Sequence, residues 1–161
     1  MRKNLSFSYS SETLLKVLIT PVSLVNPKFV DRSKPLSEQG LNIGTYNAVW
    51  DTGAMCTILG ARVVDELGLT VEGFEKLAGV GAIKHTTKHF VDIWLPNRLG
   101  VINVPIMKGD LPGNIDVLIG MDIITLGDFA ITNFGGKTVM SYRYPSVCTI
   151  DFAKEDKQEN T

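Results

Sequence analysis

The chain is poor in cysteine: Cys56 and Cys148 are the two in 161 residues. Two are too few for a disulfide framework, and they lack the clustered Cys/His spacing of a zinc site, so both read as reduced thiols. An excess of either charge is also missing. Sixteen basic and seventeen acidic residues leave a formal charge of −1, which supplies no broad field to gather phosphates or hold an anionic membrane. Nucleic acid is therefore set aside as a partner. Long apolar runs are lacking as well. Residues 14–25 come nearest, but Lys16 and Pro21 interrupt them behind a polar, Ser-rich stretch, so no membrane span or export signal is expected and the cytoplasm is the expected compartment. There is no Gly-rich phosphate loop ending in Lys-Ser/Thr, no Gly-x-Ser-x-Gly elbow and no His-Glu-x-x-His pair, which removes the sequence support for several other enzyme classes.

What is present is an ordinary globular composition, 44% apolar, in a length that fits one domain and buries about two-thirds of the unfolded surface. Gly and Pro fall at short intervals between runs rich in Val, Ile, Leu and Thr, the texture of a mostly β domain. Strands are expected over 14–25, 41–50, 83–95, 100–107, 115–119, 129–133 and 138–142. Two short helices are expected over 60–67 and 121–126, where apolar residues recur at helical spacing and Gly68 and Gly127 offer stops. The largely polar ends read as flexible segments, 1–13 and 153–161, around a domain over 14–152.

Directly after the apolar stretch Tyr46-Asn47-Ala48-Val49-Trp50 comes Asp51-Thr52-Gly53-Ala54, a strand running into a tight turn that begins with a carboxylate. Gly53 permits a backbone shape closed to other residues, and Ala54 is small enough for another segment to lie against it. The plain alternative is an Asp-Gly turn in which Asp51 hydrogen-bonds its own backbone. A second segment, Asp116-Val117-Leu118-Ile119-Gly120-Met121-Asp122, is an apolar strand ending in Gly before a short helix.

Asp-Thr-Gly-Ala, a helix-bearing stretch, Gly79-Val80-Gly81 and then Leu118-Ile119-Gly120, in that order over residues 41–142, resembles the retropepsin family of aspartic peptidases, in particular the cellular and bacterial relatives of the viral enzymes. The resemblance implies a closed-barrel-like acid-protease fold with one or two short helices, working as a homodimer. Asp51 would be the catalytic carboxylate, Thr52 would bond across the dimer axis, Gly53 would shape the turn beside the substrate, and Ala54 would pack beneath. Gly79, Val80, Gly81 and Ala82 would form the flap over bound peptide, although by their residue types alone they fit an ordinary loop equally well. Leu118, Ile119 and Gly120 would form the strand supporting the catalytic loop. Two departures stand out: Met121 and Asp122 occupy the place where viral members carry an ion-pairing Arg, and Trp50 replaces a smaller aliphatic residue.

Peptide hydrolysis by this chemistry needs two carboxyl groups sharing one proton, one accepting a proton from water while the other donates to the carbonyl oxygen. None of the other nine aspartates begins an Asp-Ser/Thr-Gly sequence. The second carboxylate then has to be Asp51 of another copy, which a two-fold axis supplies most simply. The expected function is an aspartic endopeptidase acting on peptide or protein substrates, with neither metal nor organic cofactor. The alternative is a non-catalytic dimerisation or peptide-binding module of the same fold.

Other candidates receive plainer readings. His85 and His89 on a strand stand roughly 13 Å apart, too far for one metal ion, and are expected to face solvent or line the substrate site. Asp122 is expected to complement a helix start or bind nearby backbone amides. Arg62, Asp65 and Glu66 fit a solvated helix face. Cys56, with no His nearby in sequence, reads as a small core residue rather than a nucleophile.

Overall fold

Alternation of apolar and small or polar residues decides which side of each strand is buried. In β3 (Gly44–Trp50), Tyr46, Ala48 and Trp50 are buried while Thr45 and Asn47 are exposed; β2 (Ile19–Val25) likewise turns Thr20, Val22 and Leu24 inward. The period of two is the geometric consequence of the pleat. The computed structural model describes residues 5–79, 82–96 and 98–154.

Among the described residues ten strands and two short α-helices follow one another. After β1 (Leu5–Ser11), β2 and β3 come β4 (Ile58–Gly60), α1 (Ala61–Glu66), β5 (Gly73–Gly79) and β6 (Ala82–Trp94). Then follow β7 (Gly100–Gly109), β8 (Val117–Ile119), α2 (Met121–Ile124), β9 (Asp128–Thr132) and β10 (Thr138–Tyr144). Seven strands are ordered β2-β3-β8-β4-β7-β6-β5, and β2 also pairs with β6 through Leu24 and Ile93. That extra pairing closes six of them into a barrel and leaves β5 outside, as the free arm of the β5–β6 hairpin. Val22, Leu24, Ala48, Leu59, Val91, Ile93, Ile106, Val117 and Ile119 are buried in the core. The mostly β, closed-barrel expectation holds.

Two long-range parallel pairings build the centre. β3 runs parallel to β8 with Trp50 opposite Ile119, and β4 runs parallel to β7 with Ile58 opposite Met107. β4, only three residues long, fits between β8 and β7. The chain end of β3 thereby meets the chain end of β8, which sets the Asp51 turn beside Gly120.

The expectation of a flexible segment over 1–13 is corrected. Leu5–Ser11 form β1, which pairs along its whole length with β10, and β10 pairs with β9 in a separate three-stranded sheet. Leu5, Phe7 and Tyr9 alternate with serines, and directly paired residues share a face. Phe7, Tyr142 and Phe129 form one row against Trp50. The Trp50 ring stacks on Phe129 at 5.5 Å with 15° between planes, and its Nε1 donates to Thr20 Oγ1 at 2.9 Å. The indole thus anchors the second sheet to the barrel. Of the expected polar tail over 153–161, residues from 155 onward lie outside those described.

Strand and helix bounds also shift. β2 begins at Ile19 rather than 14, because the preceding residues bridge between sheets, with the Leu15 N–H donating to Thr138 Oγ1. β1, β4 and β5 were not among the expected strands.

Candidate active site

The end of β3 delivers Asp51 to a turn bonded to β8 and α2 at several points. The Asp51 N–H donates to Ile119 O at 3.0 Å, extending the β3–β8 ladder by one bond. The Ala54 N–H returns to Asp51 O at 3.2 Å and closes the turn, and the Met121 N–H donates to Ala54 O at 2.8 Å. Thr52 and Gly53 are exposed, while Asp51 and Ala54 are half-buried. The carboxylate is itself oriented, since Oδ1 accepts the Gly53 N–H at 2.8 Å. No partner is found for Oδ2 among the described residues.

Gly53 is explained differently from the sequence expectation. Its φ is outside the left-handed region, so no special backbone shape is required. A Cβ there would instead stand 3.1 Å from Asp51 Oδ1, crowding the carboxylate that the Gly53 amide holds. Gly120 is more constrained. An added Cβ would meet the carbonyl carbon and oxygen of Cys56 at 2.6 Å and Ala54 O at 3.0 Å. The backbone of the candidate loop therefore lies directly on Gly120, as close as a glycine allows. Ile119 is fully buried, and Leu118 is half-buried between Val49 and Ile58 of the neighbouring strands.

The structure thus brings Asp51, Thr52, Gly53 and Ala54 together with Leu118, Ile119 and Gly120. The other expected group is separate. Gly79 and Ala82 are paired at the tip of the β5–β6 hairpin; Val80 and Gly81 lie outside the described residues. A cavity of about 520 Å³, lined by Asn47, Arg62, Asp110 and Asp116 among others, includes none of residues 51–54.

A residue not singled out in the sequence completes the loop. Thr57 is fully buried; its N–H and hydroxyl donate to the two oxygens of Asp122 at 2.9 and 2.8 Å, and its Oγ1 accepts the Gly120 N–H at 3.3 Å. Asp122 binds the nearby Ile123 amide at its helix start, at 3.0 Å, as expected, and in addition the Thr57 amide sixty-five residues away. A lone threonine among Cys56 and Ile58 carried no signal of this.

Cys56 is half-buried, and burial pushes its thiol pKa up, with the Asp122 charge adding to the effect. A thiol held protonated is a poor nucleophile, which agrees with its plain reading. His89 is a correction. It is neither solvent-facing nor substrate-lining but 2% exposed, with Nδ1 2.8 Å from Thr70 O and Nε2 2.8 Å from Thr87 Oγ1. Since a carbonyl only accepts, Nδ1 carries the proton. His85 is exposed. Among the described residues no group of three or more His, Cys, Asp or Glu is placed to hold a metal ion, and no helix is long and apolar enough to cross a membrane. Arg62 pairs with both Glu66 and Asp116 on the surface, as the solvated-face reading expects.

No protein-family model and no curated protein matches the chain. Among solved structures, a retropepsin-like aspartic protease from Rickettsia conorii aligns at 14% identity over 88% of this chain and 96% of that one, with a TM-score of 0.49. The EIAV protease in complex with the inhibitor HBY-793 aligns at 20% identity over 71% and 90%, TM-score 0.47. The retroviral protease-like domain of Ddi1 from Leishmania major aligns at 18% over 71% and 82%, TM-score 0.39. The chain is similar in fold to retropepsin-like aspartic proteases. The residues given above for the candidate site come from its own sequence and geometry.

Proposed function

We propose that the chain is an aspartic endopeptidase whose active site forms when two copies bring their Asp51 carboxylates together. The observation that carries the reading is the Asp51 turn: an Asp-Thr-Gly-Ala at a strand end with Asp51 half-buried and Thr52 and Gly53 exposed, its carboxylate oriented by the Gly53 amide and its backbone seated on Gly120. A single copy offers one such carboxylate, and the chemistry needs two.

In the dimer, carboxylates about 3 Å apart cannot both be ionised, so they share one proton as a pair. The ionised carboxylate takes a proton from water as the water oxygen attacks the peptide carbonyl carbon. The other carboxylic acid gives its proton to the carbonyl oxygen. Collapse of the resulting tetrahedral species breaks the C–N bond, with proton return to the departing amine. Thr52, exposed beside Asp51, would bond across the axis, and the β5–β6 hairpin, in which Gly79 pairs with Ala82, would cover the peptide.

The test is cleavage of a mixed peptide library from acid to neutral pH, with and without a transition-state mimic directed at aspartic peptidases, over a range of protein concentrations. Inhibitor-sensitive cleavage that falls faster than linearly on dilution supports the reading. Asp51→Asn should fold, dimerise and cleave nothing; cleavage at the wild-type rate by that variant overturns the assignment. The second reading, a non-catalytic module, has one observation in its favour: Asp51 Oδ1 bonds Gly53 within its own turn, as a plain Asp-Gly turn would. Peptides that bind but survive at every pH and concentration would select it.

A further inference from the structure

We infer that Asp122 is a positioning residue for Asp51, acting through Thr57. The loop from Asp51 to Thr57 is fastened to the β8–α2 junction at both ends and in the middle. At the front the Asp51 N–H bonds Ile119 O, and in the middle the Met121 N–H bonds Ala54 O. At the rear, Asp122 takes both the amide and the hydroxyl of Thr57, while the same Thr57 oxygen accepts the Gly120 N–H. The rear fastening is the strongest of these, because it uses a charged acceptor twice and lies against a fully buried residue.

Geometry explains why a carboxylate is used. A carboxylate has acceptors only, and Thr57 presents two donors to it, so both oxygens are satisfied without rearrangement. The Thr57 hydroxyl gives its one proton to Asp122, which leaves its lone pairs for Gly120 N–H. Gly120 is the residue on which Cys56 and Ala54 rest at contact distance. Loss of the carboxylate therefore releases the buried Thr57 donors and loosens the support beneath the turn carrying Asp51. Asp122 touches no reacting atom. Its effect is to keep the Asp51 loop at one height on the barrel rim, where two copies have to match within a fraction of an ångström for a shared proton.

The catalytic part of this inference rests on the peptidase reading, so the experiment has one readout that depends on turnover and one that does not. The full chain is prepared as wild type, Asp122→Ala, Asp122→Asn, Thr57→Val and Thr57→Ser. Turnover is followed on the best-cleaved peptide of the library, and amide hydrogen exchange is followed at Asp51, Thr57 and Gly120 with core amides of β6 as reference. Asp122→Ala and Thr57→Val should lower kcat roughly 10- to 100-fold, the scale of a small misplacement of a reacting group, with KM little changed. The three loop amides should exchange faster while those of β6 do not. Thr57→Ser restores both donors and should restore kcat. Asp122→Asn keeps an acceptor for the Thr57 amide and should fall between wild type and Asp122→Ala, with no shift in the pH profile.

Unchanged kcat or unchanged loop exchange in Asp122→Ala overturns the inference. So does an Asp122→Asn variant as slow as Asp122→Ala with a displaced pH profile, because the charge rather than the placement would then matter. A wild-type protein that cleaves nothing overturns the peptidase reading and the positioning role together, and that case is recognised by the wild type alone.

Discussion

Replacement of Gly120 by alanine probes the contact on which the candidate site is built. The added Cβ would stand 2.6 Å from the Cys56 carbonyl, where ordinary contacts begin at 3.4 Å. The obstacle is backbone, and that backbone is tied down on both sides, by Met121 N–H to Ala54 O at 2.8 Å and by Thr57 to Asp122 at 2.9 Å. No side-chain end can swing away, so the loop has to rise by several tenths of an ångström. Overpacking of this kind costs about 1–3 kcal/mol, and a rigid obstacle places it in the upper half of that range. With a urea slope of roughly 2 kcal/mol per molar for a chain of this size, the unfolding midpoint should fall by roughly 1 M. Gly73→Ala is the control. Its Cβ would lie 3.9 Å from the Lys88 Cβ, an ordinary contact, and the change should be neutral or stabilising by up to about 1 kcal/mol. Urea melts of both variants check the numbers, with peptidase assays alongside. A Gly120→Ala midpoint equal to that of wild type would show that the loop does not rest on Gly120, and the support assigned to β8 would be withdrawn.

Trp50→Phe removes the donor to Thr20, which is 1% exposed, and leaves a void beside Phe129; a loss of about 2–3 kcal/mol is expected in chemical denaturation, and a loss under 0.5 kcal/mol would contradict the anchoring role. Arg32 Nη1 lies 2.6 Å from Oδ2 of the fully buried Asp92, an ion-pair contact rather than a well-angled hydrogen bond, while Asp92 Oδ1 accepts the Asn103 N–H. Arg32→Met strands that carboxylate; because Arg32 is itself half exposed and water can take its place, about 1–3 kcal/mol is expected rather than the full cost of a broken buried pair, and double substitution with Asp92→Asn should recover part of it. Burial, with the charges of Tyr144 and Asp128 adding, pushes the Tyr142 phenol up to about 12. Its folded value lies above the ordinary one, so its contribution to stability is intact below about pH 10 and lost as pH rises from there toward 12. Ultraviolet titration of wild type against Tyr142→Phe should show the loss of one late-ionising phenol, and a difference spectrum with its midpoint at about pH 10 would refute this. Asp128 runs the other way: Ser146, the Val147 amide and Arg143 hold its carboxyl below the usual range, so its stabilisation is present above about pH 4 and lost only as pH falls further, which acid unfolding of Asp128→Asn against wild type would reveal.

Much of the barrel was legible because its strands carry local signals. The alternation in Tyr46, Ala48 and Trp50 marks β3, and the continuous apolar run from Val117 to Ile119 marks a strand buried on both sides. The same alternation was present in Leu5, Phe7 and Tyr9, yet the intervening serines made the segment read as a polar end. What half-buries Leu5 and Phe7 of β1 is the packing of Phe7 on Trp50 and the pairing with β10, more than a hundred residues away in the second case. β4, three residues long, has too little sequence for any period to show.

Residue types by themselves determined the chemistry on offer: one carboxylate in an Asp-Thr-Gly-Ala turn, an apolar strand ending in Gly120, no excess charge and no metal-ligand spacing. Only the tertiary structure decided what each polar group meets. His89 is buried because Thr70 and Thr87 come to both ring nitrogens. Asp122 holds Thr57 as well as the Ile123 amide of its own helix start because β8 and β4 are neighbours in the barrel. A side chain's type fixes which bonds it is able to make, whereas its partner depends on which distant strands the closure of the barrel sets side by side, and no local pattern records that.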